Sequence, residues 1–327
     1  MPRRIFSPDS FWNQPIASNA ATDPGSDEFI AALQRGKGGT PLHINTDRYT
    51  IPVFTVDAHT PRRTVHQARV AFEPGDRHLR DPYYALHPAF GRNVPIPAEA
   101  APDPASDAHI ALLDWENNRA YDMWAARPRN DGDYEASTGI DYPLDGSGVF
   151  RTEDFPIQDF ESIHYHGPSR AAGVPIIAGL IMEDEIRAGR IEHKLAFASW
   201  NNARCRFVFP ACWTDGFCDF GLPEGATLQL DPDFNLAALN LSPGGQIVAK
   251  ALQEYGMVNV DCAVGNILYA ELLTVHGRSW EGLLDSADLS QLPLEAFRVL
   301  ELGTVIERGD WPEKFFAAKG LAYNADA

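Results

Sequence analysis

The chain has 327 residues, 45 acidic and 27 basic, for a net charge of −18. That balance excludes nucleic acid and anionic membrane as first partners, since both need a basic face. An apolar content of 44% excludes global disorder, and no apolar run reaches the ~18–20 residues that span a bilayer.

In chain order, Ser26 caps a helix that runs to Arg35 and stops at Gly36, with Asp27 and Glu28 at its positive end. Alternation at Ile51 and Val53, and again at Ala68, Val70 and Phe72, predicts half-buried strands. Residues 73–107, rich in Pro, Asp and His, read as a long loop of the kind that often serves function. A hairpin follows, with 109–115 and 119–124 joined through Glu116-Asn117-Asn118. Strands are expected at 173–181, 191–198, 205–211, 226–231, 257–263 and 296–302. A short helix spans Glu183 to Ala188 and closes at Gly189. A longer one starts at Ser242, has Pro243 in its first position and ends at Gly256. A terminal helix is expected over Trp311–Lys319. Many strands with a few peripheral helices predict a mainly β fold, either a β-sandwich of jelly-roll type or a distorted barrel. One domain is expected over 1–302, with 1–50 as an N-terminal elaboration and 303–327 as an appended tail.

Several motifs recur together. Gly173-Val174-Pro175-Ile176-Ile177-Ala178-Gly179-Leu180-Ile181 is followed by Asp184-Glu185-Ile186 and by Gly189-Arg190-Ile191-Glu192-His193. Around this block stand Ser10-Phe11-Trp12-Asn13-Gln14-Pro15-Ile16, Leu113-Asp114 with Tyr121-Asp122, Phe209-Pro210-Ala211, Tyr255-Gly256-Met257 before Asp261, and Ala296-Phe297-Arg298-Val299. In this order they resemble a widespread bacterial family whose members are typically exported and have no assigned activity. The likeness covers about residues 7–302; the stretch 155–169 is longer than the family's connection, and the C-terminal tail is extra. The resemblance implies a secreted or periplasmic protein, although the N-terminus Met-Pro-Arg-Arg-Ile-Phe has no signal peptide. It names no reaction.

The chemistry must come from the residues. Asp114, Asp122 and Asp261 are candidate acid–base carboxylates of the kind glycoside hydrolysis requires in pairs. The competing reading of Asp114 and Asp122 is a solvated hairpin tip; that of Asp261 is a buried acid tying strands together. His193 is a candidate base, or else a core histidine on an apolar strand face. Trp115, Trp124 and Tyr255 are candidate substrate contacts, since sugar C–H faces stack on aromatic rings, and Arg170 is a candidate contact for a uronate carboxylate. The pair His164 and His166 lacks the following Glu of a cupin, and reads as a surface loop pair. No metal site and no cofactor are expected. Cys205, Cys212, Cys218 and Cys262 lack zinc spacing; a Cys212–Cys218 disulfide loop and four half-buried thiols are equally open. Nucleophile-elbow, P-loop, dinucleotide and HExxH motifs are absent. The first expectation is therefore a carbohydrate-active enzyme, a glycoside hydrolase acting on a neutral polysaccharide or oligosaccharide. The alternatives are a polysaccharide lyase using His193 with a Tyr, and a non-catalytic glycan-binding or surface module.

Overall fold

Two sheets carry the fold, and alternation along their strands decides which residues meet between them. The computed structural model describes residues 2–68, 84–151, 165–166 and 168–307, with backbone alone at 84–85 and 165–166. The principal strands are β1 (Leu42–Asn45), β2 (Val53–Val56), β3 (Ile110–Asp114), β4 (Arg119–Trp124), β5 (Thr138–Pro143) and β6 (Leu195–Ser199). They continue with β7 (Asn202–Phe207), β8 (Leu222–Glu224), β9 (Thr227–Leu230), β10 (Met257–Cys262), β11 (Asn266–Tyr269) and β12 (Phe297–Val299). A mixed six-stranded sheet has the order β1-β11-β6-β10-β9-β12, and a four-stranded sheet the order β5-β4-β3-β2. The chain is mainly β, as expected from its turn-rich composition.

On β6, Leu195 and Phe197 face one way, into a core built with helices α1 (Ser26–Leu33) and α3 (Pro243–Glu254). Ala196 and Ala198 face the other way, toward Ala111 and Leu113 of β3. Ile110 and Leu112 of β3 turn outward into a third cluster with Val65, Phe90 and Ile96. The period-2 pattern thus produces a layered sandwich: helices, sheet, central cluster, sheet, outer cluster.

The central cluster contains the motif block, and here the sequence reading needs correction. Residues 173–181 are apolar and almost wholly buried, yet they form successive turns, with a single bridge from Ile181 to Ala270. Pro175 offers no N–H for a ladder, and Gly173 and Gly179 adopt positive φ. A side chain at 179 would also collide with the Ala196 backbone nitrogen, 2.3 Å from an ideal Cβ. The strand expected over 191–198 begins only at Leu195, so His193 is not placed by strand alternation. Ser26 is not the cap of α1. Gly25 stands there, and the Ser26 hydroxyl accepts from Val299 N at 2.9 Å instead.

Elsewhere the local signals hold. Helix α2 (Glu183–Ala188) closes at Gly189 with φ 81°. Helix α3 has Ser242 as its cap, accepting from Gly245 N at 3.0 Å, with Pro243 first. The hairpin β3–β4 pairs Asp114 with Arg119, and Asn118 sits at φ 54° in its turn. His164, the side chain of His166 and the helix expected over 311–319 lie outside the described residues. All four cysteines are free thiols.

Candidate functional site

A cleft of about 1190 Å³ opens at one side of the sandwich. Its wall is built by α2, the following loop through His193, the N-terminal segment 2–6, and Glu271 just beyond β11. Helix α2 supplies three consecutive acids, Glu183, Asp184 and Glu185, where the helix dipole favours negative charge. Glu185 closes a capping box, accepting from Met182 N at 3.2 Å.

His193 faces Glu185. Its Nδ1 lies 2.8 Å from the Lys194 carbonyl, which can only accept, so Nδ1 carries a proton. Its Nε2 stands 3.1 Å from the Glu185 carboxylate. Burial disfavours the charged ring, but the Glu185 charge and both hydrogen bonds outweigh it and raise the His193 pKa. Both ring nitrogens are engaged, so His193 orients the Glu185 carboxyl beside it.

Glu271 has the opposite surroundings. Burial, with the like charges of Asp184 and Glu185, pushes it up to about 7. Arg278 Nη2 is 3.6 Å away, but that guanidinium also pairs with Glu183, which in turn binds Arg187 at 2.7 Å. Glu271 accepts from Glu183 N at 3.2 Å. One cleft therefore holds a carboxyl fixed against a histidine and a second carboxyl whose pKa is raised to about 7.

The expected site residues divide between this cleft and the interior. Trp115 lines the cleft, with the Arg3 guanidinium 5.2 Å from its ring centre. Leu113 lines it too, so alternation turns the intervening Asp114 away. Asp114 is fully buried and accepts from Asn117 N at 3.0 Å and Asn117 Nδ2 at 2.9 Å, holding the hairpin turn. Asp122 is enclosed between the sheets, accepting from Ile176 N at 2.7 Å and from the Tyr142 hydroxyl at 2.8 Å. Arg170 donates to Ile176 O at 3.1 Å. Asp122 and Arg170 thus satisfy both backbone polar groups of the buried Ile176, which no strand pairs, and this is an anchoring role. Burial pushes Asp122 up to about 7.

Arg170 also stacks on Tyr269, 4.2 Å from its ring centre, and pairs with Asp261 at 3.3 Å. Asp261 is pushed up to about 8 by burial, which outweighs Arg170. Trp124 hydrogen-bonds Asp107 beside this inner group, and Tyr255 is buried next to Arg190, which it bonds. His193 and Trp115 therefore meet in the cleft, whereas Asp114, Asp122, Asp261 and Arg170 do not join them.

Sequence reasoning passed over Glu271, Glu183, Asp215 and Glu224. Three successive acids opening a helix eight residues before a histidine were a usable signal for α2. Glu271 offered none, because its role depends on burial. No protein-family model, no curated protein and no solved structure matches this chain.

Proposed function

We propose that the protein is a carbohydrate-active enzyme that hydrolyses a glycosidic bond in the cleft, with Glu271 as general acid and Glu185 as its carboxylate partner. The observation that carries the reading is the contrast between two acids lining one cleft. A carboxyl raised by its surroundings beside a second carboxyl in one cleft is the arrangement that acid–base glycoside hydrolysis uses. Glu271 holds a proton to give to the leaving oxygen; Glu185, fixed by His193 and Met182 N, acts as base or nucleophile. Trp115 supplies an aromatic wall suited to a sugar face.

The test is release of new reducing ends from a panel of neutral polysaccharides. Glu271→Gln and Glu185→Gln should each lower turnover by about 10²–10⁴-fold while the protein still unfolds cooperatively. Because Glu271 must be protonated to act, turnover should decline as pH rises through about 7. Silence across the panel, or full activity in both variants, rejects the proposal.

One observation favours a lyase as second reading. Arg3, Arg4, Arg187, Arg190 and Arg278 all line the cleft, which suits a uronate carboxylate. Against it, the base assigned to a lyase, His193, has both nitrogens engaged. Growth of ultraviolet absorbance from an unsaturated product would select the lyase. Retention of glycan without product would select a binding module.

A further inference from the structure

Away from the cleft, Asp215, Glu224 and Cys262 bring a carboxylate oxygen each and a sulfur together, all within 4.8 Å of one another. Donors about 2.0–2.3 Å from one ion stand no more than ~4.6 Å apart, so little contraction is needed. The elements that place them are fixed. Glu224 ends β8, Cys262 ends β10, and Asp215 lies in the connection between β7 and β8. A bulge in β10 aims the thiol: Phe197 pairs with Asn259 but Ala198 pairs with Asp261, leaving Val260 as the extra residue. The alternation is thereby reset, and Cys262 shares the face of Asn259 while Asp261 turns toward Arg170.

A second observation points to an occupant. Glu224 is completely buried; its Oε1 accepts from Asn202 Nδ2 at 3.0 Å, but its Oε2 is sealed from solvent and accepts nothing. Asp215 Oδ1 is likewise sealed from solvent, and Asp215 has the Glu224 carboxyl and the Cys262 thiol within hydrogen-bond reach. Two buried acceptors aimed into one cluster need a proton or a cation between them. The electrostatics favour positive charge as well. Asp107, Asp215 and Glu224 or Asp261 act on one another at this spot, with Arg170 as the opposing charge. His109 adds none: burial and Arg170 push it down to about 3, so it is neutral. Orientation is also provided for. Asn259 Nδ2 donates to Asn202 Oδ1 at 3.0 Å, which fixes the amide that holds Glu224.

We propose that Asp215, Glu224 and Cys262 form a binding site for one divalent transition-metal ion, zinc by the chemistry of its ligands. A thiolate with two carboxylates disfavours magnesium and calcium, which take oxygen donors. Three protein ligands leave a fourth position for water, reached from the half-buried Asp215 and Cys262 side. On binding, the thiol proton and any proton shared by the two acids leave to solvent. The proposal is independent of the reading of the cleft.

The experiment uses the full chain, stripped with a chelator and titrated with Zn²⁺ and, as a spectroscopic probe, Co²⁺. The expected result is one ion per chain, with a near-ultraviolet thiolate-to-cobalt band that the ten histidines cannot produce. Cys262→Ser should abolish that band and weaken zinc binding at least tenfold; Glu224→Gln should weaken it comparably. Wild-type protein that takes up cobalt without the thiolate band, or binds no metal, overturns the proposal. So does a Cys262→Ser variant of unchanged affinity. In that event a proton shared between Asp215 and Glu224 occupies the site.

Discussion

Glu183 and Asp261 are both acids held by arginine, but the cleft and the inner cluster treat them differently. In the cleft, Glu183 is buried while its partners Arg187 and Arg278 keep about half their side chains in water. Solvent screens and helps to neutralise that group, so losing one guanidinium leaves another and water in its place. Inside, Arg170 is 1% exposed and serves Asp261, the Ile176 carbonyl and the Tyr269 ring together. Nothing fluid can replace it. The lesson is that an ion pair's contribution follows the accessibility of its partners more than their distance.

The sharpest way to break this comparison is to remove each arginine. Arg170→Met should cost about 3–5 kcal/mol, because it empties a buried side-chain site, orphans the Ile176 carbonyl and takes the guanidinium from the half-buried Asp261. Arg170→Lys should recover only part, since an ammonium cannot span both acceptors as the guanidinium fork does. Denaturant unfolding reads both. Equal losses for Arg170→Met and Arg187→Ala would refute the contrast.

A smaller effect is expected at Asp122. Asp122→Ala orphans the buried Ile176 N–H and should cost about 1–3 kcal/mol. Asp122→Asn preserves an acceptor for Ile176 and a donor for the Tyr142 oxygen, and should be nearly neutral by the same measurement.

The pH dependence follows from the same group. The folded Asp122 value of about 7 lies above the ordinary carboxylate value of about 3.9. Its stabilisation is therefore fully present below about pH 4 and is lost as pH rises through about 7. His193, raised by Glu185, acts in the same direction: its contribution is present below its ordinary value of about 6.5 and lost at higher pH. Melting temperature should fall between pH 5 and pH 9, and fall less in Asp122→Asn. A flat wild-type profile would remove Asp122 and His193 as proton-linked anchors.

The smallest effect is reserved for the cleft rim. Arg187→Ala breaks an i,i+4 pair whose arginine is 59% exposed, and should cost no more than about 0.5 kcal/mol. That value sets the scale against which the loss at Arg170 is judged.

The sequence by itself determined the features that depend on near neighbours. The stop of α2, the cap and stop of α3, the β3–β4 hairpin and the strands β9 and β10 are local, so propensity and periodicity suffice for them. His193 and Trp115, which both line the cleft, were legible as candidates because a motif block and an aromatic at a hairpin end are also local features. Tertiary structure decided the rest. An apolar run at 173–181 reads as a strand, but Asp122, 54 residues away, and Arg170 satisfy the Ile176 peptide and let the segment turn between the sheets. Asp114, Asp122 and Asp261 look alike in one dimension. Their roles separate through contacts that span from 3 to 91 positions, and Glu271 gains its raised pKa from burial and from neighbours that only folding assembles. Charge compensation and desolvation are properties of enclosed volumes, and a linear pattern of residues does not specify which acids will share one.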